Sequence, residues 1–358
     1  MKKKVLIIAP PESAHTVEWI EFLNKQERFE IFYISLKKDF KPVKNSFFID
    51  FSYPFYKINL LKSYFEVKRI IKSISPDIVH AHYLFPYGIL TLFDRKKTVI
   101  SFWGSDITKD YKNSNLIFKS LADLSIKDAD FITFAGKHLK SFFKYDIENS
   151  EILIWGVNSN FVESVKKMDR RELGFSDDDF VILNLRYIRD IFQIERIIDV
   201  VKDLNQKFSN IKLILVKGDD SPYFNMIKEK CKDLPFVKIL ENLSKEKFIS
   251  LIKSSDITLS LSTRDGNPVS VKEAMICRKT VIYQEIEPMR EFFENKDFKT
   301  SLKTFECKEL YEKILYFYND RNTLKNIGNQ MKKFAEENFD KEKCFQKGLK
   351  IYNKIIGD

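Results

Sequence analysis

The chain has 358 residues, 44% hydrophobic and 31% charged, which is enough apolar material for the cores of two domains and argues against a disordered protein. No run of 18 apolar residues occurs, so no transmembrane helix is expected. Lys and Arg exceed Asp and Glu by 10, a balance that favours anionic partners such as nucleic acid, a membrane face or phosphorylated ligands. Because the lysines are spread along the chain, a Lys-rich composition alone is an equally good explanation.

The N-terminus, MKKKVLIIAPPES, has a basic start followed by only five consecutive apolar residues. This stretch is too short for the core of a signal peptide and predicts a first buried strand instead. The four cysteines lie far apart in the sequence, which indicates a reducing compartment and no structural zinc site. We therefore expect a cytoplasmic protein without a bound metal.

Two sets of short apolar runs follow in chain order, and helical patterns separate them. The first set is VLIIA (5–9), FEIFYIS (29–35), DIVHAH (77–82), TVISFW (98–103), DFITFA (130–135) and EILIW (151–155). The second set is FVILNLRY, KLILVKG, FVKILEN, DITLSLS and KTVIYQ. Apolar strands that alternate with helices predict parallel sheets covered on both faces. The pattern predicts two doubly wound α/β domains, a connection near 157–178 and a C-terminal amphipathic helix.

The segment RDGNPVSVKEAM (264–275) contains two acids in a typical helix-start sequence. Ser270 and Glu273 have the spacing of a capping box, and Asn267-Pro268 fits an N-cap followed by Pro in the first turn. These signals predict a helix that begins between 267 and 270. Local stability alone would account for most of them.

The same segment also fits a site for a phosphorylated ligand. A helix that starts at the carboxyl end of a parallel strand offers unpaired N–H groups and a partial positive charge to a phosphate. Gly266 would allow a close approach of the backbone. Asp265 would then point at the group attached to the phosphate, and Glu273 at a ribose. This order matches a nucleotide-sugar.

SLSTRDGNPVSVKEAM resembles the E-x7-E signature of retaining glycosyltransferases of family 4, which have the GT-B fold. Other segments resemble the family in the same order: HTVEWIEFL (15–23), SPDIVHAHYLFPYGIL (75–90), SFWGSDI (101–107), WGVNSNFV (155–162) and LRYIRDIFQIERIIDV (185–200). The resemblance implies two Rossmann-like doubly wound domains that face a central cleft. An acceptor-side domain at 1–157, completed by a helix at 340–358, would precede a donor-binding domain at 175–339.

The resemblance also implies roles for the residues of the second domain. Asp265, one methylene shorter than the usual Glu, would contact hydroxyls of the donor sugar, Glu273 would bind the ribose, and Arg186 the diphosphate. Arg186 paired with an acid for structural reasons alone is the alternative. The usual Lys partner falls on Ile191, which leaves Arg189 or Lys217 as the second cation. Further donor contacts are expected from Gly266, Asn267 and the backbone N–H groups of Val269 and Ser270.

The first domain would supply contacts to the sugar and the acceptor. The candidates, from the first loop and from the ends of two strands, are His15, Thr16, His82, Trp103, Gly104 and Asp106. Trp103 takes about the place of a His that reaches the sugar in many members of the family. His82 is the candidate substitute, although a structural role for His80 or His82 fits the sequence equally well. Asp106 would orient an acceptor hydroxyl or cap the following helix.

The reaction implied by the resemblance is transfer of a sugar, with retention, from a nucleoside diphosphate-sugar to a hydroxyl of a cell-surface glycan or a lipid-linked acceptor. UDP is preferred to GDP, and neither a cofactor nor a metal is expected. The alternative is an inactive or epimerase-like nucleotide-sugar-binding homologue. No nucleic acid partner is predicted. The basic, apolar segment 55–74 would contact the inner face of the plasma membrane, or would pack on the core with solvated lysines.

Overall fold

The structure is a computed structural model that describes residues 1–10, 13–36, 41–50, 56–94, 96–143, 146–265, 267–294 and 296–357. The chain forms two compact units. The first comprises Met1–Trp155 and Lys343–Asp358, and the second comprises Gly156–Glu342. The segment 157–178, expected to be a connection, is therefore part of the second unit.

The first unit is a seven-stranded parallel sheet with helices on both faces. Its strands are β1 (Lys3–Ile8), β2 (Phe29–Ser35), β3 (Ser46–Phe48), β4 (Ile78–His82), β5 (Lys97–Phe102), β6 (Phe131–Phe134) and β7 (Ser150–Ile152), and its first helices are α1 (Ala14–Asn24), α2 (Tyr56–Ile74) and α3 (Leu116–Asp128). The strand order is β3-β2-β1-β4-β5-β6-β7. The sequence pattern missed β3, because three residues are too short to show a periodicity.

Successive residues of β1 point to opposite faces of this sheet, as the pleat of a strand requires. Leu6 and Ile8 belong to the core cluster that also contains the buried residues of α2 and α3. Val5 and Ile7 belong to the cluster that contains the buried residues of α1. An uninterrupted apolar strand therefore fills two cores, which explains why β1 contains no polar residue after Lys4.

The second unit has the same architecture with six parallel strands. In chain order its elements are α4 (Ser159–Ser164), β8 (Phe180–Tyr187), α5 (Ile194–Lys207), β9 (Ile211–Val216), α6 (Pro222–Lys230), β10 (Val237–Leu240), α7 (Lys245–Ser254), β11 (Ile257–Ser260), α8 (Val269–Ile276), β12 (Thr280–Gln284), α9 (Glu287–Phe292), β13 (Ser301–Leu302), α10 (Cys307–Asn319) and α11 (Arg321–Asn338). The strand order is β10-β9-β8-β11-β12-β13. The prediction of two doubly wound Rossmann-like domains is confirmed.

The last helix, α12 (Lys341–Ile356), packs on the first unit. Phe345 and Tyr352 meet the ring of Trp19 edge to face, at centroid distances of 5.3 and 5.7 Å. Gly348 lies between them, and a Cβ there would stand 2.8 Å from the Trp19 ring. Close contact of α12 with α1 therefore needs this glycine. Within the described ranges, no helix has both the length and the apolar character that crossing a membrane requires.

Each sheet has one point from which the chain winds outward in both directions. In the first sheet this switch point lies between β1 and β4, and in the second it lies between β8 and β11. Loops diverge there at the carboxyl ends of the strands, which leaves a crevice where doubly wound proteins bind ligands. These two edges position the candidate site residues.

Candidate functional site

The switch point of the second sheet brings together an arginine, an aspartate and the start of a helix. Arg186 lies near the end of β8, and Asp265 lies in the loop between β11 and α8. α8 begins at Val269. We call Arg186, Asp265 and the first turn of α8 the switch-point site. Its position is the one that fold topology assigns to a ligand.

Arg186 and Asp265 form an ion pair within this site. A terminal nitrogen of Arg186 lies 3.1 Å from Oδ2 of Asp265, and the two side chains are only 19% and 8% exposed. Ser262 donates its hydroxyl to the same carboxylate oxygen, at 3.0 Å. The guanidinium carbon lies 4.6 Å from the centre of the Phe192 ring, which holds the planar group from one side. The predicted cation and the predicted acid thus neutralise each other.

The start of α8 differs from the predicted capping pattern. Pro268 is the N-cap, and no side chain makes a capping hydrogen bond there. Ser270 lies inside the first turn, where its hydroxyl accepts a 3.4 Å hydrogen bond from Arg186. Both the capping box and the Asn267 N-cap are therefore wrong, although the helix begins within the predicted range. The N–H groups of Val269 and Ser270 have no acceptor within their own helix.

Two other predicted residues flank this turn. Asn267 directly precedes the cap residue Pro268, and Gly266 lies outside the described residues. Two positions thus separate Asp265 from the cap of α8. This short spacing along the chain keeps the carboxylate of Asp265 close to the N-terminus of α8.

Glu273 lies one turn further along α8 and is 5% exposed. Its Oε1 is 3.8 Å from Nζ of Lys245, at the start of α7. The Lys245 ammonium also lies 5.9 Å from the centre of the Phe161 ring. No sequence motif marks Lys245, which is one lysine in the polar stretch after β10. Only the packing of α7 beside α8 brings it to the predicted ribose acid.

The two candidates for a second cation are held by acids elsewhere. Arg189 pairs with Asp219 on the surface. Lys217 lies 3.0 Å from Asp220 and 3.1 Å from Glu241, and hydrogen bonds to these acids raise its pKa. Neither forms an ion pair or a hydrogen bond with the switch-point site in the described part of the chain. The structure does not bring Arg189 or Lys217 to Arg186.

The carboxyl edge of the first sheet carries aromatic and imidazole side chains. His82 ends β4, and its Nδ1 lies 3.0 Å from the hydroxyl of Thr16 on α1. The Trp103 ring follows β5 with its centroid 5.1 Å from that of His82. His15 contacts Trp103 at 5.4 Å and stacks on Trp155 at 5.3 Å. We call His15, Thr16, His82, Trp103 and Trp155 the histidine–tryptophan cluster.

Two ring nitrogens of this cluster have no partner. Within the residues that the structure describes, Nε2 of His82 and Nε1 of Trp103 are buried and make no hydrogen bond. Burial lowers the pKa of His82 well below its usual value, and the nearby His80 and His15 lower it further. The imidazole is therefore neutral at pH 7. An unsatisfied buried polar atom costs about 1–3 kcal/mol, so a hydroxyl that reached these atoms would find favourable partners.

Asp106 is fully buried and holds the loop after β5 together. Its carboxylate accepts N–H groups from Trp103 at 3.2 Å, from Gly104 at 2.8 Å and from Leu84 at 3.2 Å. Gly104 has a φ of +126°, which a residue with a side chain rarely adopts. Burial raises the pKa of Asp106 to about 6, although the hydrogen bonds from these N–H groups lower it in part. Both oxygens accept N–H groups and the side chain is buried, which supports a structural role for Asp106. Its contact with an acceptor hydroxyl stays a prediction.

A second buried network supports the cluster from below. Nδ1 of His80 lies 2.6 Å from the hydroxyl of Tyr352, and Nε2 lies 2.7 Å from that of Ser101. Trp19 donates its ring N–H to Tyr352 at 3.2 Å. His80 is thus a structural residue that ties α12 to β4. No local sequence pattern could link Tyr352 to His80, because 272 residues separate them.

Two family models match successive parts of the chain. One, described as glycosyl transferase 4-like, matches residues 4–135, and the other, described as glycosyl transferases group 1, matches residues 165–334. The first match contains the histidine–tryptophan cluster except for Trp155. The second contains the whole switch-point site. Apart from Trp155, both candidate regions therefore lie within matched segments.

Two curated relatives match over most of their length. An uncharacterized glycosyltransferase of Methanocaldococcus jannaschii is 25% identical over 83% of this chain and 80% of the relative. The N,N'-diacetylbacillosaminyl-diphospho-undecaprenol alpha-1,3-N-acetylgalactosaminyltransferase of Campylobacter jejuni is 24% identical over 83% of this chain and 82% of the relative. Among solved structures, Anabaena HepE in complex with UDP and glucose has a TM-score of 0.78 at 17% identity, over 98% of this chain and 100% of that chain. At this identity the structural similarity establishes the fold.

Proposed function

Since the chain is a glycosyltransferase with the GT-B fold, we propose that it transfers a sugar from a UDP-sugar to a hydroxyl acceptor and retains the anomeric configuration. The observation that carries the proposal is the switch-point site, where a cation, an acid and a helix N-terminus meet at the ligand-binding edge of the second sheet. UDP is favoured because a neighbour of the same fold was solved with UDP and glucose. Retention rests on the resemblance of the 265–273 spacing to the family signature.

The first step is binding of the diphosphate. Arg186 and the N–H groups of Val269 and Ser270 are the groups at the site that favour negative charge. When the bond to the sugar breaks, charge builds up on the leaving phosphate, and the same groups stabilise it. The low exposure of Arg186 strengthens this interaction, because little water screens it.

The Arg186–Asp265 ion pair has to open for this step. Asp265 is the acid that the resemblance assigns to the donor sugar, and it is bound to the cation assigned to the phosphates. We propose that the donor replaces both halves of the pair, the diphosphate at Arg186 and a sugar hydroxyl at Asp265. Ser262 keeps the carboxylate in place during this exchange. Binding of a complete donor then leaves no charge without a partner.

Glu273 would accept hydrogen bonds from the ribose hydroxyls. Its carboxylate is mostly buried, and Lys245 stabilises it as the charged form. A charged carboxylate is an acceptor only, which suits a diol that donates two hydrogen bonds. Lys245 is thus proposed as a residue that positions Glu273, with no direct contact to the nucleotide.

The histidine–tryptophan cluster is the proposed source of sugar or acceptor contacts from the first unit. Nε2 of His82 and Nε1 of Trp103 offer neutral hydrogen-bonding groups in a dry environment. Neutral groups suit hydroxyls, which carry no charge. A lipid-linked or cell-surface glycan is the proposed acceptor class, since the Campylobacter relative is named for transfer to a diphospho-undecaprenol-linked sugar.

The test is thermal unfolding of the purified chain with UDP, GDP and their sugar derivatives, in the presence of EDTA. A ligand that binds only the folded state, at about a hundredfold excess over its Kd, is expected to raise the melting temperature by about 5 °C. We expect UDP compounds to give this shift, and Arg186→Ala and Glu273→Ala to abolish it. Arg171→Ala is the matched control, because Arg171 is an exposed arginine of the same unit.

Transfer itself is tested with an NMR assay of the product anomer. Donor binding without transfer to any hydroxyl acceptor would favour the inactive or epimerase-like alternative. A product of inverted configuration would contradict retention and leave the donor site intact. No shift with any nucleotide would contradict the donor site.

A further inference from the structure

The first unit carries large apolar side chains on the outside of two helices and one loop. α2 exposes Leu61 and Phe65 by 60% and 63%, and the loop before β5 exposes Phe93 by 64%. The N-terminal half of α3 exposes Leu116 and Ile117 by 82% and 67%. We define the apolar face as Leu61, Phe65, Phe93, Leu116, Ile117 and Leu124.

These side chains do not belong to an incomplete core. The inner side of α2 buries Val67 and Ile71 against the sheet, and α3 buries Ala122 and Ile126 in the same cluster. Each helix therefore has a filled core stripe, and its exposed apolar residues lie outside that stripe. Single exposed apolar residues are ordinary, but a group on neighbouring elements marks an interaction surface.

Hydrogen bonds join the parts of the apolar face into one surface. Tyr64 on α2 donates its hydroxyl to the carbonyl of Leu92, at 3.0 Å. The N–H of Phe93 donates to Asp128 at the end of α3, at 2.6 Å. Leu124 lies one helical turn before Asp128, on the same side of α3. The loop therefore places Phe93 between the exposed residues of the two helices.

The backbone of Phe93 is strained in a way that presents its ring to solvent. Its φ is +58°, in the left-handed region that bulky residues rarely adopt. Such strain persists at functional surfaces where the surrounding structure fixes it. Burial of the ring in the core does not compensate the strain here, since most of the ring is exposed. This backbone conformation leaves the ring available for contact with another apolar phase.

Cations lie beside the apolar face on α2. Lys62, Arg69 and Lys72 are exposed at positions that share one stripe with Phe65. None of the three forms a salt bridge within the described ranges. Of the nearby acids, Asp94 lies 3.6 Å from Lys68 and Asp128 accepts the Phe93 N–H, while Glu66 lies one helical turn from both Lys62 and Arg69. With Glu66 counted against the three cations, the surface combines exposed apolar rings with an excess of two positive charges.

We propose that the apolar face and these three cations dock the protein on an anionic lipid surface. Rings and aliphatic side chains at the level of the headgroups, flanked by Lys and Arg, are the features of a peripheral membrane contact. The positive charge disfavours a second copy of the same surface, because two such faces would repel each other. The proposal is independent of the donor site, and vesicle binding is measured without any transfer reaction.

The experiment is co-sedimentation of the full chain with vesicles of phosphatidylcholine alone or mixed with about one third phosphatidylglycerol. We expect binding to the anionic vesicles only, and weaker binding at about 0.5 M salt than at about 0.1 M. The charge variant Lys62→Gln/Arg69→Gln/Lys72→Gln is expected to lower the partition coefficient at least about tenfold. The apolar variant Phe65→Gln/Phe93→Asn is expected to abolish binding, and Asn suits the left-handed backbone at position 93.

Matched controls come from the second unit. Phe305 is 56% exposed there, so Phe305→Gln tests whether loss of any exposed ring matters. Lys228→Gln/Lys238→Gln/Lys247→Gln removes three exposed lysines and the same amount of charge. Both controls are expected to bind vesicles as the unmodified chain does. Thermal unfolding of every variant shows whether it is folded.

Three results would overturn the proposal. The first is equal binding to neutral and anionic vesicles. The second is equal loss of binding in the charge variant and in its lysine control. The third is no binding to either kind of vesicle. In that case, light scattering tests whether the chain forms a dimer that the Phe65→Gln/Phe93→Asn variant dissociates. Such a dimer would assign the apolar face to a self-interface.

Discussion

The carboxyl edges of the two sheets occupy equivalent positions and carry opposite chemistry. In the second unit the edge holds a mostly buried ion pair, Arg186 with Asp265, beside the start of α8. In the first unit it holds neutral rings and a fully buried carboxyl group, Asp106. The same topology thus carries the proposed site for a charged ligand in one unit and the proposed site for hydroxyl groups in the other. The difference comes from side chains in loops, which the fold leaves free to vary.

The largest expected effect is on the charged edge. Arg186→Ala removes the side-chain cation that the proposal assigns to the leaving diphosphate. We expect kcat/KM for sugar transfer to fall about 100-fold to 1,000-fold, as for loss of one preorganised charge-stabilising donor. Steady-state kinetics with a UDP-sugar measure this change. Arg171→Ala is expected to leave the rate within about twofold, and an equal loss in both variants would contradict the role of Arg186.

The second effect is on the stability of the neutral edge. Asp106→Ala leaves the N–H groups of Leu84, Trp103 and Gly104 without their acceptor. We expect the free energy of unfolding to fall by about 3 kcal/mol, since buried donors without partners are costly. Urea denaturation measures it, and Asp106→Asn should lose less because it keeps one acceptor oxygen. Unchanged stability with a loss of transfer alone would favour Asp106 as an acceptor contact over a structural role.

The third effect is a pH dependence that arises beneath the neutral edge. Burial lowers the pKa of His80 to about 3, below the value of about 6.5 in the unfolded chain. The neutral form of His80 therefore stabilises the folded state fully above pH 6.5. This stabilisation is lost as the pH falls toward 3, because His80 takes up a proton in the unfolded chain before it does so in the folded one. We expect a loss of about 2 kcal/mol between pH 7 and pH 5 from this residue.

The measurement compares denaturation of the unmodified chain and His80→Asn at both pH values. The variant should be less stable at pH 7, where it lacks the hydrogen bonds to Ser101 and Tyr352, but the gap should narrow at pH 5. Burial raises the pKa of Asp106 to about 6, which acts in the opposite direction over this range. Its contribution cancels in the comparison. A gap that does not change with pH would show that His80 titrates normally.

The smallest effect sharpens the role of the ion pair. Asp265→Asn frees Arg186 from its acid, so UDP without a sugar is expected to bind about threefold to tenfold more tightly. Transfer should nevertheless fall, because the proposed contact to the sugar is lost. Calorimetric titration measures the affinity. The control is Asp219→Asn, which removes the acid that pairs with Arg189. If this variant bound UDP more tightly, Arg189 rather than Arg186 would be the phosphate ligand.

The periodicity of the apolar runs was sufficient to predict both sheets, since parallel strands covered on two faces must be apolar throughout. It was not sufficient for β3 and β13, which are too short to carry a pattern. The helix after β11 began within the predicted range, but its cap was wrong. Pro268 can occupy the N-cap, and Arg186 rather than the backbone takes the Ser270 hydroxyl. A tertiary contact replaced the local hydrogen bond that the sequence favoured.

By itself, the sequence determined the fold class and the segment that supplies Asp265 and the start of α8, because strand periodicity and the 264–275 segment are local properties of the chain. Only the tertiary structure decided the partners. It paired Arg186 with Asp265, brought Lys245 to Glu273 and occupied both oxygens of Asp106. Each of these contacts joins residues on different elements, or depends on burial. The distance between two side chains and the polarity of their surroundings are set only when the helices and strands pack together.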